Sequence, residues 1–405
     1  MKLREKKSKR YKIAVLTSHP IQYQVSLFRK LSEHPQLDTM VYFSWNSLSN
    51  EEGYYSPKFG RKIKWDIPLL EGYKYKFLKN YSPTPSIFRG FFGLINFGII
   101  KELFKNKYDA IIIHGWNYFT SFLTVFISKL RKTKVFLRGD NPYKQEIRKN
   151  KFKILLKKFL LQRILFNLID GFLYVGKENK EFYKFYGVPE YKLFFVPHAI
   201  ENERFIKSYN ELVNKKDEIK KEIGIPPNKI IILFSGKLIE KKRPMDLLVA
   251  YEKVKTDNKA LVYVGDGYLR KKLEEYAERN KISDVYFVGF KNQTEIPKYY
   301  AIADIFVLPS TSETWGLVVN EAMCFHLPII VSDIVGCGKD LVKHGENGYI
   351  FPVGDVSKLA EYLEDLIINK EKRRKFGERS FEIIQDYSYE KDIEGILKAL
   401  KSIRR

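Results

Sequence analysis

The sequence predicts an α/β protein of two doubly wound domains with a cleft between them. Short apolar runs with the length of buried strands alternate with helical segments along the chain, and Gly or polar residues follow many of these runs. A chain of 405 residues accommodates two or three domains of about 100–200 residues each. We assign residues 1–205 to the first domain and 206–385 to the second. We expect residues 386–405 to form a helix that packs back toward the first domain.

Composition narrows the class of protein. The chain is 44% hydrophobic and 15% aromatic, which fills large cores, and its two cysteines exclude a disulfide framework and fit a reducing compartment. No run approaches the ~20 apolar residues of a membrane span, and no signal-peptide pattern follows the basic N-terminus. We therefore expect a soluble or peripheral cytoplasmic protein.

The positive charge is concentrated in the first half of the chain. The net charge is +24; residues 1–200 hold 37 Lys and Arg against 15 Asp and Glu, whereas residues 201–405 hold 35 against 33. This asymmetry predicts an anionic partner for the first half. Membrane lipid, nucleic acid and a phosphorylated substrate all fit that description.

Six apolar runs predict the strands of the first domain, at 12–18, 40–44, 108–114, 134–138, 171–175 and 193–197. A helix is predicted at 25–32, and residues 50–85, rich in Gly, Pro and Tyr, predict a long excursion. An aromatic segment with Phe88, Phe91 and Phe92 follows. These side chains either contact lipid or a lipid-like acceptor, or belong to the core at an ordinary helix start. We favour the core.

His114 stands at the end of the third predicted strand. Ligands of parallel sheets bind outside the carboxyl ends of the strands, so this position favours chemistry. A structural histidine that caps the strand is an equally good interpretation. Arg138 and Asp140 form a charged tip on the next predicted strand.

Residues 148–168 predict a basic amphipathic helix. Its apolar residues recur at i, i+3, i+4, i+7 and i+8, and no acid occurs before Asp170. The position between two strands predicts that the apolar face covers the sheet. The lysines either face anionic lipid, which we favour slightly, or are simply solvated.

The second half begins with a polar stretch, 201–229, that predicts a hinge. Buried strands are predicted at 229–234, 261–264, 284–288, 305–308 and 329–331. Lys237, Lys241, Lys242 and Arg243 lie between the first of these strands and a helix that starts at Pro244. A Gly turn, cations and a helix start together favour a phosphate site over a solvated basic loop.

Two acidic residues bracket the start of a predicted helix at 317–325. Glu313 lies in the loop before this helix, and Glu321 lies inside it. A helix start offers free N–H groups and a positive dipole end, which favour anions. Carboxylates beside such a site predict a second kind of ligand, such as sugar hydroxyls.

The order of these motifs resembles that of the retaining glycosyltransferases of the GT-B fold, of the family-four type (glycosyl transferases group 1) that uses nucleotide sugars. The resemblance covers nearly the whole chain and is most specific in the second half. It rests on Gly236-Lys237 with Lys242, Gly265-Asp-Gly267, Gly289, Leu308-Pro-Ser310, Glu313 and Glu321 with Gly316-Leu317, Pro328 and Asn347-Gly-Tyr. His19-Pro-Ile-Gln-Tyr, Gly187-Val-Pro and Val196-Pro-His-Ala also fit this family.

The resemblance implies a role for each site residue. Glu313 would bind the donor-sugar hydroxyls, Glu321 the ribose hydroxyls, and Lys237 and Lys242 the diphosphate. The first domain would supply the acceptor side, with His114 over the sugar. The implied catalytic residues are Glu313, His114 and Lys242. The implied donor-binding residues are Gly236, Lys237, Lys242, Gly289, Phe290, Glu313, Trp315, Gly316, Leu317 and Glu321.

Neither a cofactor nor a metal is implied, because lysines fill the cationic role, the six histidines are scattered and no paired Asp-x-Asp occurs. The implied reaction retains anomeric configuration by same-face attack, since no second carboxylate is evident as a nucleophile. Two features depart from the family pattern. Lys237 stands where many relatives have an arginine, and bidentate phosphate contact is lost with it. His19-Pro20-Ile21-Gln22 replaces a common glycine pair.

We therefore expect a hexosyltransferase that takes a nucleotide sugar and acts on a lipid-linked, polysaccharide or other glycan acceptor at the cytoplasmic membrane face. Its expected partners are the nucleotide sugar, the acceptor and an anionic membrane surface. A nucleotide-sugar epimerase of the same fold is one alternative, and it would need carboxylates and histidines that we do not find. A basic nucleic-acid-binding protein is another, against which stand the one-sided charge and the lack of a binding motif.

Overall fold

The structure, a computed structural model, describes residues 10–46, 54–56 and 61–403. The basic N-terminal residues 1–9 and two parts of the predicted excursion, 47–53 and 57–60, lie outside the described residues.

A seven-stranded parallel sheet forms the first domain. Its strands are rich in Ile, Val, Leu and Phe, as expected for a sheet covered on both faces. The strands up to residue 195 are β1 (Tyr11–Thr17), β2 (Leu37–Phe43), β3 (Tyr54–Ser56), β4 (Arg61–Ile63), β5 (Lys74–Phe77), β6 (Ala110–His114), β7 (Lys134–Gly139), β8 (Gly171–Tyr174) and β9 (Leu193–Phe195). The order across the sheet is β5-β2-β1-β6-β7-β8-β9, and β3 and β4 form a separate antiparallel pair.

A six-stranded parallel sheet forms the second domain. Its strands are β10 (Ile230–Ser235), β11 (Lys259–Val264), β12 (Val285–Gly289), β13 (Ile305–Leu308), β14 (Ile329–Ser332) and β15 (Gly348–Phe351). Their order is β12-β11-β10-β13-β14-β15. The two parallel sheets confirm the predicted fold class of two doubly wound domains.

Helices connect the strands and cover both sheets. They are α1 (Gln22–Glu33), α2 (Gly98–Lys105), α3 (Phe119–Leu130), α4 (Tyr143–Ile147), α5 (Lys151–Leu160), α6 (Lys177–Phe185), α7 (Asn202–Leu212), α8 (Lys216–Ile223), α9 (Pro244–Lys253), α10 (Arg270–Arg279), α11 (Ile296–Ile302), α12 (Leu317–Met323), α13 (Gly338–Leu341), α14 (Val356–Ile368), α15 (Lys370–Ile384) and α16 (Tyr389–Ser402).

Apolar clusters cover both faces of each sheet. In β1, Ile13 and Val15 belong to one cluster, and Ala14 and Leu16 belong to the cluster on the opposite face. Successive side chains of a strand point to opposite faces, which is why one apolar run serves two cores. The carboxyl ends of both sets of strands meet at the cleft, where a ligand of this fold binds.

The chain returns to the first domain in α16. Ile393, Ile396 and Leu400 belong to the same buried cluster as β1. Arg138 of β7 donates from Nη2 to Asp392 Oδ1 at 2.9 Å, in a pair that is almost fully buried. Packing and this ion pair together fasten the last helix to the first domain.

The predicted amphipathic helix at 148–168 is wrong in two respects. The regular helix α5 ends at Leu160 and continues as a π-helical turn, 161–165, and a 3-10 turn, 166–168. No residue of α5 is buried, so its apolar face does not cover the sheet. Leu161, Leu165 and Phe166 of the two turns provide that cover instead.

The preference for a core role of the aromatic segment is also wrong. Phe88 and Phe92 are 70% and 64% exposed, and Phe91 is exposed as well. Residues 90–93 form a 3-10 turn, and the Phe91 ring packs against Phe119 and Phe122 of α3. The segment therefore presents apolar rings to its surroundings.

The predicted hinge at 201–229 is mostly helical. It contains α7 and α8, and both pack against α11 of the second domain. Phe205 and Ile219 are buried in that contact. Charged residues on their outer faces gave these amphipathic helices the composition of a linker.

Candidate active site

A cavity of about 450 Å³ lies in the cleft between the two domains. Among its lining residues are the predicted donor-binding residues Gly236, Lys237, Lys242, Phe290, Glu313, Trp315, Gly316, Leu317 and Glu321. Gly289 ends β12 beside Phe290. His114 does not line this cavity. The structure thus brings the predicted residues of the second domain together around one space.

Two glycines let the loops after β10 and β11 approach each other. Gly236 has a φ of 152° and Gly265 a φ of 134°, in the region that favours glycine. A Cβ at Gly265 would overlap the carbonyl oxygen of Gly236. The close approach leaves Lys237 in the cavity wall, and the chain then turns back through a 3-10 turn that ends at Lys242.

An ion pair between Lys242 Nζ and Glu313 Oε2 lies in the cavity wall. The two side chains are only 13% and 16% exposed. Burial, together with the positive charges of Lys241 and Lys237, lowers the pKa of Lys242 to about 7. Charges desolvated in this way are costly. An incoming phosphate can replace Glu313 as the partner of Lys242, and sugar hydroxyls can replace Lys242 as the partner of Glu313.

Glu321 is buried one turn inside α12 and accepts a hydrogen bond from Tyr300 Oη at 2.6 Å. Burial raises the pKa of Glu321 to about 7, although the Tyr300 hydroxyl and the positive charge of Arg204 act in the opposite direction. A buried carboxylate with one fixed donor keeps acceptor capacity for further hydroxyl groups.

Glu321 is expected to lower the stability of the empty protein as the pH rises. Its folded pKa lies above its usual value of 4.5, so the folded state holds a proton that the unfolded chain loses between pH 4.5 and 7. Glu321→Gln removes this titration. The change that it causes in the free energy of unfolding should be more favourable at pH 8 than at pH 5 by up to about 3 kcal/mol. Urea unfolding at both pH values measures the difference, with the exposed Glu275→Gln as a control. An equal effect of Glu321→Gln at both pH values contradicts the assignment.

The loop from Glu313 to α12 is fixed by the first domain. Gln145 Nε2 donates to the carbonyl oxygen of Glu313 at 2.7 Å and to that of Ile334 at 3.2 Å. Trp315 Nε1 donates to Asn320 Oδ1 at 2.9 Å, and Asn320 Nδ2 donates to the carbonyl oxygen of His198 at 3.1 Å. The position of Glu313 therefore depends on both domains.

His114 ends β6 and lines a second cavity, of about 210 Å³, in the first domain. Tyr23, Asp140 and His198 line both cavities, so the two spaces adjoin. Burial lowers the pKa of His114 well below its usual range, and the charges of Arg138 and His198 act in the same direction. The imidazole is neutral at pH 7 and serves as a hydrogen-bonding group, not as a cation.

Asp140 and His198 are wall residues for which the sequence predicted no role in the site. His198 Nε2 lies 3.8 Å from Asp140 Oδ2. Burial acts to raise the pKa of Asp140, but the polar interactions with His198 and Thr314 outweigh it and hold the pKa below its usual range. The charged tip after β7 and the Val-Pro-His motif marked both positions. Only the fold shows that they meet.

Metal ligands and membrane spans are absent from the described parts of the chain. Within residues 10–46, 54–56 and 61–403, no three His, Cys, Asp or Glu side chains are placed to hold a metal ion. None of the helices in these ranges has both the length and the apolar character needed to cross a bilayer. Cys324 and Cys337 are buried and unpaired.

Solved structures define the class of the fold. The crystal structure of HepE from Anabaena in complex with UDP superposes on the chain with a TM-score of 0.74 and 16% identity, and covers 96% of this chain and 100% of that chain. At this level of identity the likeness shows the fold alone. The fold is GT-B, as the motifs implied.

Sequence comparison defines the family. Residues 215–383 match the family described as Glycosyl transferases group 1. A protein of Methanocaldococcus jannaschii described as an uncharacterized glycosyltransferase is 30% identical over 42% of this chain and 48% of its own length. The UDP-Gal:alpha-D-GlcNAc-diphosphoundecaprenol alpha-1,3-galactosyltransferase of Escherichia coli is 27% identical over 67% of this chain and 70% of its own length.

The second domain therefore belongs to the group 1 glycosyltransferase family, which confirms the resemblance drawn from the motifs. The chain spans about half the length of the first curated relatives that it matches.

Proposed function

We propose that the chain is a retaining hexosyltransferase that moves a sugar from a nucleotide sugar to a glycan or lipid-linked acceptor at an anionic membrane surface on the cytoplasmic side. The observation that carries the proposal is the buried pair of Lys242 and Glu313 in the same cavity wall as Glu321. A cation suits the diphosphate, and two carboxylates suit the hydroxyls of sugar and ribose.

The donor binds with its diphosphate against Lys237 and Lys242 and its sugar against Glu313. Lys242 exchanges the carboxylate of Glu313 for a phosphate oxygen, and Glu313 then accepts hydrogen bonds from the sugar hydroxyls. The ion pair between Lys242 and Glu313 is thus replaced by two contacts with the donor. Neither buried charge is left without a partner, which would be costly.

For this arrangement we propose the following transfer step. When the bond between C1 of the sugar and the diphosphate oxygen breaks, its electron pair stays on that oxygen, and the two lysines stabilise the charge. The acceptor hydroxyl forms the new bond to C1 from the same face, and its proton passes to the leaving diphosphate. The anomeric configuration is retained. The lysines supply the positive charge of this step, with no bound cofactor.

UDP-hexoses are the first donors to test. Structures of HepE hold UDP and UDP-glucose. The name of the Escherichia coli relative specifies UDP-Gal and a diphosphoundecaprenol acceptor. A lipid-linked acceptor also agrees with the apolar surfaces of the first domain.

The outer face of α5 supports membrane contact. Phe152 and Leu155 are 74% and 65% exposed, and Leu156 and Phe159 are exposed beside them. Basic residues surround this face: Arg148, Lys149, Lys151, Lys153, Lys158 and Arg163. An apolar stripe bordered by lysines is the pattern of a helix that lies in the interface of an anionic bilayer.

The aromatic segment at 88–92 supplies a second apolar surface of the first domain. Tyr118, which leads into α3, donates from its hydroxyl to the carbonyl oxygen of Ile87 at 2.9 Å. The preceding residue, Asn117, lines the cavity of His114. An acceptor with a lipid tail would therefore find apolar side chains next to the cavity that we assign to its polar end.

Short contacts connect α5 to the loop that contains Glu313. Lys157 of α5 donates to Glu146 Oε1 at 2.7 Å, and Glu146 adjoins Gln145, which holds the backbone of Glu313. The proposed membrane face and the proposed reaction centre therefore share one structural unit, α4 with α5.

Removal of the apolar side chains of α5 is expected to weaken membrane binding without loss of fold. Each buried side chain contributes about 1.5–3 kcal/mol to interface binding, so Phe152→Ser with Phe159→Ser should lower the partition coefficient at least about tenfold. Sedimentation with vesicles that contain phosphatidylglycerol measures it. Binding of the wild-type protein should also fall when the salt concentration is raised.

A matched control and a competing ligand test this expectation. Ile368→Ser removes an equally exposed apolar residue from the second domain and should leave vesicle binding unchanged. Duplex and single-stranded nucleic acids test the alternative. Tighter binding to nucleic acid than to anionic vesicles would refute the membrane assignment.

A panel of nucleotide sugars tests the function itself. We expect one or more UDP-hexoses to raise the thermal midpoint and to release UDP slowly by hydrolysis. Nuclear magnetic resonance of the sugar left in the reaction separates transfer or hydrolysis from the epimerase alternative, since an epimerase yields the epimer. No stabilisation by any nucleotide or nucleotide sugar would refute the proposed function.

A further inference from the structure

The segment 64–67 of the first domain crosses the cleft and binds the loop after β12. Asp66 accepts hydrogen bonds from the backbone N–H groups of Gln293, at 3.1 Å, and Thr294, at 2.9 Å. The hydroxyl of Thr294 also donates to Asp66. Asn292 Nδ2 donates to the carbonyl oxygen of Lys64 at 2.7 Å. Contacts on both sides of residue 65 therefore hold this short segment against the second domain.

The loop that receives these contacts is itself held in place. Arg204 of α7 donates from Nη1 to the carbonyl oxygen of Gln293 and from Nη2 to its side-chain oxygen, both at 2.8 Å. Arg204 Nε also pairs with Glu201 at 3.1 Å. The loop that segment 64–67 contacts is thus fixed by hydrogen bonds with Arg204.

Trp65 points into the cleft cavity from this segment. It lines the cavity together with Ile67, and its ring centroid lies 6.4 Å from that of Phe290, with the planes tilted by 59°. The two rings form one aromatic wall, with Trp65 from the first domain and Phe290 from the second.

The aromatic wall lies at a suitable distance from the lysines. Phe290 follows β12, whereas Lys237 and Lys242 follow β10, two strands away in the sheet. Neighbouring strands are about 4.8 Å apart, so the two ends of the cavity are separated by roughly 10 Å. This separation matches the span from diphosphate to base in a nucleoside diphosphate. Glu321, which we assign to the ribose, follows β13 on the other side of β10 but reaches the same cavity.

We infer that Trp65 contacts the nucleobase of the donor, and that Asp66 is the positioning residue that holds Trp65 there. The inference rests on the proposed function, because it names a residue of the donor site. A flat ring covers the face of a base, and one such contact changes affinity by about tenfold or more. The first domain thereby takes part in donor recognition and not only in acceptor binding.

Calorimetric titration with four probes tests the inference: UDP, ADP, GDP and inorganic pyrophosphate, which lacks a base. Trp65→Ala should raise the Kd of the preferred nucleoside diphosphate about tenfold. Its Kd for pyrophosphate should stay unchanged. Trp65→Phe, which keeps a ring, should recover most of the affinity. Tyr191→Ala removes an exposed ring that does not line the cleft cavity and should behave as wild type.

Asp66→Ala extends the test to the positioning residue. It should reproduce the loss of nucleoside diphosphate affinity. The double variant Asp66→Ala with Trp65→Ala should bind no more weakly than either single variant, because both substitutions remove the same contact. Unchanged nucleotide affinity in Trp65→Ala would overturn the inference, and so would an equal loss for UDP and pyrophosphate. Failure of the wild-type protein to bind any nucleoside diphosphate is a different result, which would overturn the proposed function instead.

Discussion

Glu313→Ala is expected to lower the rate of sugar transfer at least about a hundredfold while the fold stays intact. The substitution removes the acceptor of the sugar hydroxyls and leaves Lys242 buried without its carboxylate partner. Loss of one preorganised polar group of this kind lowers the rate by about 10²–10³. Initial rates of transfer or hydrolysis with the preferred nucleotide sugar measure the effect.

The nucleotide provides the internal control for Glu313. Because we assign this residue to the sugar and not to the base or ribose, Glu313→Ala should keep its affinity for the free nucleoside diphosphate within a few-fold. Glu361→Ala, at an exposed position of α14, should match wild type in every assay. Full turnover by Glu313→Ala would contradict the assignment of Glu313 to the reaction centre.

Lys242→Ala is expected to lower both donor affinity and rate. It removes the buried cation that we place against the diphosphate and leaves Glu313 uncompensated. We expect kcat/KM for the donor to fall by about 10²–10³, with a larger share in kcat because the leaving group gains charge in the transition state. Steady-state kinetics with the preferred donor measures the two parameters separately.

The pH dependence distinguishes this cation from a structural lysine. Burial and two neighbouring lysines lower the pKa of Lys242 to about 7 in the empty cleft. The side chain is charged below that pH and neutral above it, so kcat/KM, which reports the free enzyme, should fall as the pH rises through 7 to 8. In Lys242→Arg the remaining activity should not fall in this range. If kcat/KM falls equally with rising pH in the wild type and in Lys242→Arg, the group that titrates is not Lys242.

The sequence predicted that four residues of the second domain share one site, and these residues line one cavity, while the roles assigned to them stay predictions. Lys237, Lys242, Glu313 and Glu321 lie after strand ends or at a helix start, and the topology of a parallel sheet brings such positions to one edge. The sequence therefore indicated their common site without a view of their contacts. The direct pair of Lys242 with Glu313 was not foreseen, because its partners come from loops after two different strands.

The first domain was harder to predict because its surface breaks the usual rule of burial. Phe88 and the apolar residues of α5 have the spacing and composition of core residues, yet they are exposed. A membrane-binding face and a core face share one periodicity, and only the location of neighbouring elements separates them. Trp65 gave no signal at all, since its role depends on a partner loop more than two hundred residues away.

Transfer by the purified wild-type protein tests the central claim most directly. The protein, anionic vesicles, a lipid diphosphate-linked sugar acceptor and each nucleotide hexose in turn are combined, and released nucleotide and the anomeric configuration of the product are measured. The account predicts release of a nucleoside diphosphate with at least one donor and a product that keeps the configuration of the donor. A product of inverted configuration, or an epimerised nucleotide sugar with no transfer, would contradict it.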